Sequence, residues 1–367
     1  MRVLHILNEL RFSGMEMMLV NSFAEWKKRD VDIEILATGK EKGEAYDLLS
    51  QKGYSLMHIP FYQNKFQSFL SLRKVLIDKN YDIVHIHTEA NFLFHAINAY
   101  LTGHKSIVRT FHSIFRPRVL GKYRRVLDRF FAYLFGVKYI SVGDSVANNE
   151  KISFFTKSKI IYNWYDNNKF KPIDYKKKER IRKDLKLDND VFVITSVGNC
   201  SFIKRHELII ESLSKLPESM NWVYLHAGRE NSDFDERVLA KKLGIYQNCH
   251  FLGMVQNVED LLAISDVFIM SSKLEGLGNA AIESIAVGTP TLLSKVPGLN
   301  DILKLVPESI GYEPNPEALA SAISNIYNLD IEERIGLSKG LAQSAIDLFS
   351  ISKGVANYVN FYSKVIH

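Results

Sequence analysis

Apolar residues cluster along this chain in short, nearly unbroken runs of Val, Ile and Leu separated by longer helical stretches. The first series is RVLHIL (2–7), DIEIL (32–36), DIVHIH (82–87), SIVRTFH (106–112) and KYISVG (138–143). The second is VFVITSVG (191–198), WVYLHAG (222–228), VFIMSS (267–272) and TPTLLS (289–294). Runs apolar on both sides suit strands covered on both faces, and strands alternating with helices build βαβ units with parallel sheets. The pattern predicts an α/β protein made of two copies of one architecture.

Between the series, IYNWYDNNKFKPIDYKKKERIRKDLKLDND (161–190) is polar, holds a proline and passes into a basic helix. It places the boundary between residues 165 and 175, giving domains 1–170 and 171–349. The aromatic stretch SISKGVANYVNFYSKVIH (350–367) reads as a helix that docks back onto the first domain. A length of 367 residues agrees with two domains, since single cores stop growing beyond about 250–300 residues.

Composition narrows the function. With 46% hydrophobic and 24% charged residues, the chain is globular with no disordered segment. Cys200 and Cys249 lie far apart without C-x-x-C spacing, which supports neither a disulfide scaffold nor a zinc site and points to a reducing cytoplasm. No run reaches the roughly 18 apolar residues that cross a bilayer, and MRVLHILNEL lacks a cleavage-type site. The net charge of +6 favours an anionic partner.

The stretch SKLEGLGNAAIESIAVGTP (272–290) carries the chemistry. It reads as a loop at the carboxyl end of a strand, then a helix capped by Asn279 and ended by Gly288. A helix N-terminus at that end of a parallel sheet offers free amides to an anion, and Gly276 and Gly278 allow close approach. Glu275 and Glu283 flank this turn, and carboxylates accept hydrogen bonds from hydroxyls. A diphosphate between two polyols, a nucleotide sugar, fits this arrangement. GLGNAA also matches the dinucleotide fingerprint, but it comes late in its domain and the following strand leads into Lys295 instead of an acid, so a dehydrogenase is rejected.

This arrangement resembles the E-x7-E motif of retaining glycosyltransferases of family 4, and the resemblance runs over nearly the whole chain. It implies the GT-B fold, two Rossmann-like domains facing across a cleft. It also implies that Glu275 lies by the donor sugar, that Glu283 holds the ribose, and that the amides of Gly276, Leu277, Gly278 and Asn279 face the sugar and diphosphate. SVGNCSFIKRHELIIESL resembles the phosphate-binding strand, loop and helix, with Gly198 in its turn and Lys204 as the diphosphate lysine. RTFHSIF places His112 beside the donor sugar, and LRFSGMEMML places Gly14 in the loop after the first strand. Backbone near Gly253 to Val255 would line the base pocket, with uracil expected over guanine. The family's usual arginine after Gly198 is Asn199 here, so that either Arg205 compensates or donor binding is weaker, and Trp164 stands where glycine is common.

The implied chemistry is a retaining transfer, with Glu275, His112 and Lys204 as the catalytic set, to a polyprenyl-diphosphate-linked glycan or polysaccharide. It needs neither cofactor nor metal. Two D-x-D sequences, Asp30-Val-Asp32 and Asp233-Phe-Asp235, read as surface structure and not as a metal pair. RPRVLGKYRRVLDRFFAYLFG (116–136) places Arg118, Lys122, Arg125 and Arg129 on one stripe, opposite Leu120, Tyr123, Leu127, Phe130, Phe131 and Leu134. That pattern describes either a packed amphipathic helix or one lying at the inner face of an anionic membrane. No nucleic-acid module accompanies it. Two other functions compete: a sugar-nucleotide epimerase of the same fold, and a degenerate nucleotide-sugar-binding subunit.

Overall fold

The computed structural model describes residues 1–62, 64–188, 190–231 and 235–366. The chain forms two compact units, Met1–Trp164 with Ile351–His367, and Tyr165–Ser350.

Unit 1 runs β1 (Arg2–Leu7), α1 (Gly14–Lys28), β2 (Asp32–Ala37), α2 (Tyr46–Lys52), β3 (Ser55–His58), α3 (Lys65–Lys79), β4 (Ile83–Ile86), α4 (Phe92–Leu101), β5 (Ile107–Phe111), α5 (Val119–Leu134), β6 (Lys138–Ser141), α6 (Asp144–Phe154) and β7 (Lys159–Ile160). Its sheet is parallel throughout, in the order β3-β2-β1-β4-β5-β6-β7. Unit 2 follows with α7 (Tyr175–Asp184), β8 (Phe192–Val197), α8 (His206–Leu213), β9 (Trp222–Ala227), α9 (Glu236–Lys242), β10 (Cys249–Gly253), α10 (Val258–Ile264), β11 (Val267–Met270), α11 (Asn279–Ala286), β12 (Thr291–Ser294), α12 (Leu299–Leu305), β13 (Ile310–Tyr312), α13 (Pro316–Tyr327) and α14 (Ile331–Phe349). Its parallel sheet has the order β10-β9-β8-β11-β12-β13. The last helix, α15 (Ile351–Ile366), belongs to unit 1.

Both orders reverse direction once, between β1 and β4 and between β8 and β11. In doubly wound sheets that reversal opens a crevice beyond the strands' carboxyl ends, where ligands bind. The long apolar runs became the central strands, buried along nearly their whole length. Strands β3, β7, β10 and β13 are additional. They have two to five residues and hold the four sheet edges, where a short pairing suffices and no long apolar run is required.

Trp164 has a packing role. It is buried, its indole Nε1 donates to the Met18 carbonyl at 3.2 Å, and its ring lies against Tyr358 of α15. Trp26, Tyr358 and Tyr362 complete this aromatic cluster between α1 and α15. The first and last residues of unit 2, Tyr165 and Ser350, form an isolated parallel bridge.

Candidate active site

In unit 2 the candidate residues gather at the carboxyl ends of β8 and β11, on either side of the strand-order reversal. After β8 the chain turns at Gly198, whose carbonyl lies so near Gly228 that a Cβ on Gly228 would sit 2.0 Å from it. Glycine is therefore required where the loops after β8 and β9 cross. The Asn199 side chain fastens the same crossing by accepting from the Arg229 amide at 2.9 Å. The residue replacing the family's arginine is thus a loop fastener.

Lys204 reaches from this loop to Glu275, with Nζ 2.7 Å from Oε1. Ser272 Oγ donates to the same oxygen at 2.6 Å. The structure thus joins two predicted residues that are 71 positions apart. Arg205, in left-handed backbone with φ 54°, donates from Nε to the Ser271 carbonyl at 3.2 Å. One of its terminal nitrogens is buried and has no hydrogen-bond partner among the described residues.

The loop 276–278 leads into α11, but its cap differs from expectation. Gly278 is the N-cap, with φ 87°, and Asn279 is the first helical residue. A Cβ at Gly278 would meet Leu299 Cδ2 at 2.9 Å, so tight packing and left-handed backbone favour glycine over asparagine at the cap. Leu277 is buried, which leaves its backbone as the part able to meet a ligand. Glu283 lies one turn into α11, half-buried, with its carboxyl pushed up to about 8. Burial is the largest cause and Glu259 adds to it, while Lys169 opposes it. Gly253 and Val255 are both half-buried, Gly253 ending β10 and Val255 lying beyond it, and the Gly253 carbonyl accepts from the Gly228 amide at 2.8 Å.

Three of the four aspartates of the D-x-D sequences serve local structure. Asp30 takes left-handed backbone in a turn, Asp32 opens β2 and pairs with Lys27, and Asp235 caps α9 by accepting from the Val238 amide at 3.0 Å. Asp233 lies outside the described residues.

In unit 1, Gly14 begins α1 and is exposed, and His112 follows β5. His112, half-buried, ends a chain of otherwise buried rings that sequence reading missed. His112 Nε2 lies 2.9 Å from His87 Nδ1, and His87 Nε2 lies 2.9 Å from His5 Nδ1. The Tyr362 hydroxyl is 3.5 Å from His5 Nε2 and 2.5 Å from His85 Nδ1, and His85 Nε2 reaches Thr110 Oγ1 at 2.7 Å. Burial, reinforced by neighbouring histidines or Arg109, holds all four imidazoles well below their usual range, so they are neutral at physiological pH.

Helix α5 corrects the surface reading of residues 118–129. Arg118, its N-cap, and Lys122 are exposed, but Arg125 and Arg129 turn inward. Arg129 is buried and pairs with the buried Glu150 at 2.6 Å, and Arg125 pairs with Glu89 at 2.8 Å beside Arg109. Buried carboxylates need cations, and the helix supplies them from its charged side. The apolar side is left outward: Leu120, Tyr123, Leu127, Phe130, Phe131 and Leu134 are all exposed, Leu120 to 84%.

Two parallel doubly wound units, with a charged pair and a helix N-terminus at a strand-order reversal, define the GT-B class. Two family models match: Glycosyltransferase Family 4 over residues 12–168 and Glycosyl transferases group 1 over residues 177–339. The protein belongs to the family 4 type of glycosyltransferase. The Staphylococcus aureus capsular polysaccharide biosynthesis glycosyltransferase CapH is 25% identical over 77% of this chain and 78% of its own length. The Escherichia coli UDP-Gal:alpha-D-GlcNAc-diphosphoundecaprenol alpha-1,3-galactosyltransferase is 23% identical over 100% of this chain and 97% of its own. Among solved structures, Anabaena HepE in complex with UDP and glucose superposes with a TM-score of 0.85 at 18% identity, covering 99% of this chain and 100% of that one.

Proposed function

We propose that this glycosyltransferase moves a sugar from a UDP-sugar, with retention of anomeric configuration, to a hydroxyl of a lipid-linked glycan or polysaccharide. The observation that carries this reading is the Lys204–Glu275 pair at the carboxyl ends of β8 and β11. Without a donor, each side chain neutralises the other. With a donor, the ammonium turns to the diphosphate, where it offsets leaving-group charge, and the carboxylate is released to the sugar hydroxyls. Amides of Gly276 to Asn279 complete the anion cradle, Gly198, Asn199 and Arg205 hold its loop, and Glu283 takes the ribose. Val255 lines the base pocket, Gly14 the phosphate and acceptor region, and His112 keeps its role beside the donor sugar. The leaving phosphate oxygen accepts the acceptor's proton, so the reaction uses no side-chain base and no divalent ion at the diphosphate.

Support for the donor and acceptor comes from HepE, described with UDP and glucose, and from the E. coli relative, whose name specifies UDP-Gal and a diphosphoundecaprenol acceptor. We place the protein on the cytoplasmic side, with the exposed apolar face of α5 and the exposed Arg116, Arg118, Lys122 and Arg124 resting on an anionic membrane.

The test is transfer from UDP-sugars and GDP-sugars to a polyprenyl-diphosphate-linked saccharide, followed by mass spectrometry and NMR of the new anomeric centre. Retention, preference for UDP and an unchanged rate on adding magnesium or manganese are expected. Lys204→Ala should lower kcat about 100-fold or more, as for removal of one transition-state donor. An epimerised sugar formed from donor alone would replace this reading with the epimerase. Absence of nucleotide binding by calorimetry would replace it with the binding subunit. Sedimentation with anionic vesicles tests the membrane seat, and a Leu120→Ser/Tyr123→Ser variant should stay in the supernatant.

A further inference from the structure

Behind the phosphate loop of unit 2 lies a second group of chemistry-bearing side chains. Cys200 comes from the loop after β8, His206 from the first turn of α8, His226 from β9 and Glu236 from the first turn of α9. None is more than 5% exposed. Cys200 Sγ and His226 Nε2 are 3.4 Å apart, and His206 Nδ1 and Glu236 Oε1 are 3.9 Å apart. The ligating atoms of Cys200, His206 and His226 all lie within 4.8 Å of one another. Burial, with the Glu236 carboxyl nearby, pushes the Cys200 thiol up to about 12.

Two features point to an occupant. His206 Nδ1 and Glu236 Oε1, 3.9 Å from each other, are buried with no hydrogen-bond partner among the described residues. Leaving such atoms unmatched carries an uncompensated desolvation cost. His226, in turn, is oriented as metal-binding imidazoles are. Its Nδ1 lies 2.9 Å from Ser196 Oγ, itself 2.6 Å from the Tyr224 hydroxyl, so Nε2 can turn its lone pair towards Cys200. Tetrahedral zinc with usual bond lengths places sulfur and nitrogen ligands about 3.6 Å apart and nitrogen and oxygen ligands about 3.4 Å apart. The observed 3.4 Å between Cys200 and His226 lies close to the first, and the 3.9 Å between His206 and Glu236 exceeds the second by about 0.5 Å.

We propose that Cys200, His206 and His226 form the core of a closed structural zinc site, which Glu236, lying outside that trio beside His206, completes by turning its carboxylate inward. Binding deprotonates the thiol and leaves the carboxylate charged, the displaced protons passing to solvent, while the imidazoles bind neutral. No oxidation or reduction is involved. Cys200 and His206 bracket the loop that carries Lys204, so the ion pins both ends of that loop to β9 and α9 and takes no part in sugar transfer. The proposal stands whether or not Lys204 contacts a diphosphate. The site escaped the sequence reading because its four ligands come from four elements and share no short spacing.

The test measures metal in the full-length protein after dialysis against zinc and removal of excess. About one zinc per chain is expected for wild type and for Cys249→Ser, and little for Cys200→Ser or Glu236→Gln. Cobalt(II) chloride added to metal-free protein should give a sulfur-to-cobalt charge-transfer band. Cys200→Ser should lose this band, while His87→Asn, which alters the separate histidine cluster of unit 1, should keep it. Circular dichroism identifies any variant that fails to fold, and the remaining variants then decide. Folded wild type with no more zinc than folded Cys200→Ser or Glu236→Gln, or with no thiolate band, would overturn the proposal and assign the space to buried water.

Discussion

Among individual residues, Glu283 gives the sharpest titration. Its carboxyl is raised from 4.5 to about 8, so between those values the folded state holds a proton that the unfolded state has released. Its contribution to stability is complete below 4.5 and lost as pH rises through about 8. Glu283→Gln should therefore raise the melting temperature relative to wild type at pH 9, with the gap closing at pH 4.5. If ribose hydroxyls bind its carboxylate, nucleotide binding near pH 7 should release a proton, measurable by calorimetry in buffers of different ionisation enthalpy. Tyr362 offers a second test. Neutral imidazoles carry one N–H each, so the ring chain from His112 to Tyr362 links the tautomer of His112 to the direction of the tyrosine hydroxyl. Tyr362→Phe should change the nitrogen-15 tautomer signature of His112 and lower kcat with little change in KM, whereas a purely structural defect would leave the signature unmoved. The glycines and glutamates of 275–283 were legible because a turn and a helix start leave local marks. The imidazole chain was not, since His5 and His85 become neighbours only through the register of β1 and β4.

At the scale of elements, α5 shows how a correct pattern leaves orientation open. The two stripes are real, but periodicity does not say which one meets the protein. Glu89 and Glu150 decide it, and they lie on other segments. Removing one partner of a buried ion pair typically costs about 3–5 kcal/mol, so Arg129→Ala should shift the urea midpoint strongly downward. A compensating Arg129→Met/Glu150→Leu pair should recover most of that loss. The strand, loop and helix of 267–288, by contrast, formed nearly where the sequence pattern put them. Only the cap of α11 moved, from Asn279 to Gly278, because Leu299 crowds a position that local preference alone would give to asparagine.

For the whole molecule, repetition of the strand pattern was enough to read two doubly wound units. Trp164 acquires its meaning only there. It is the last residue of its segment of unit 1, and it packs against Gly354 so closely that a Cβ on that glycine would fall 2.3 Å from the indole. Gly354→Ala should cost about 1–3 kcal/mol, the usual penalty of overpacking, seen as a lower melting temperature. A sequence alone presents tryptophan in place of a common glycine; the fold presents the wall against which α15 closes.

That closure sets an order of assembly. Ribosomes deliver α15 after every residue of unit 2, so nascent unit 1 waits with Trp26 and Trp164 uncovered while the unit encoded in the middle already has all its strands. Domains made first usually fold first. Here the earliest translated unit is the last to be finished, and interrupted synthesis would leave its aromatic core open to aggregation or to chaperones.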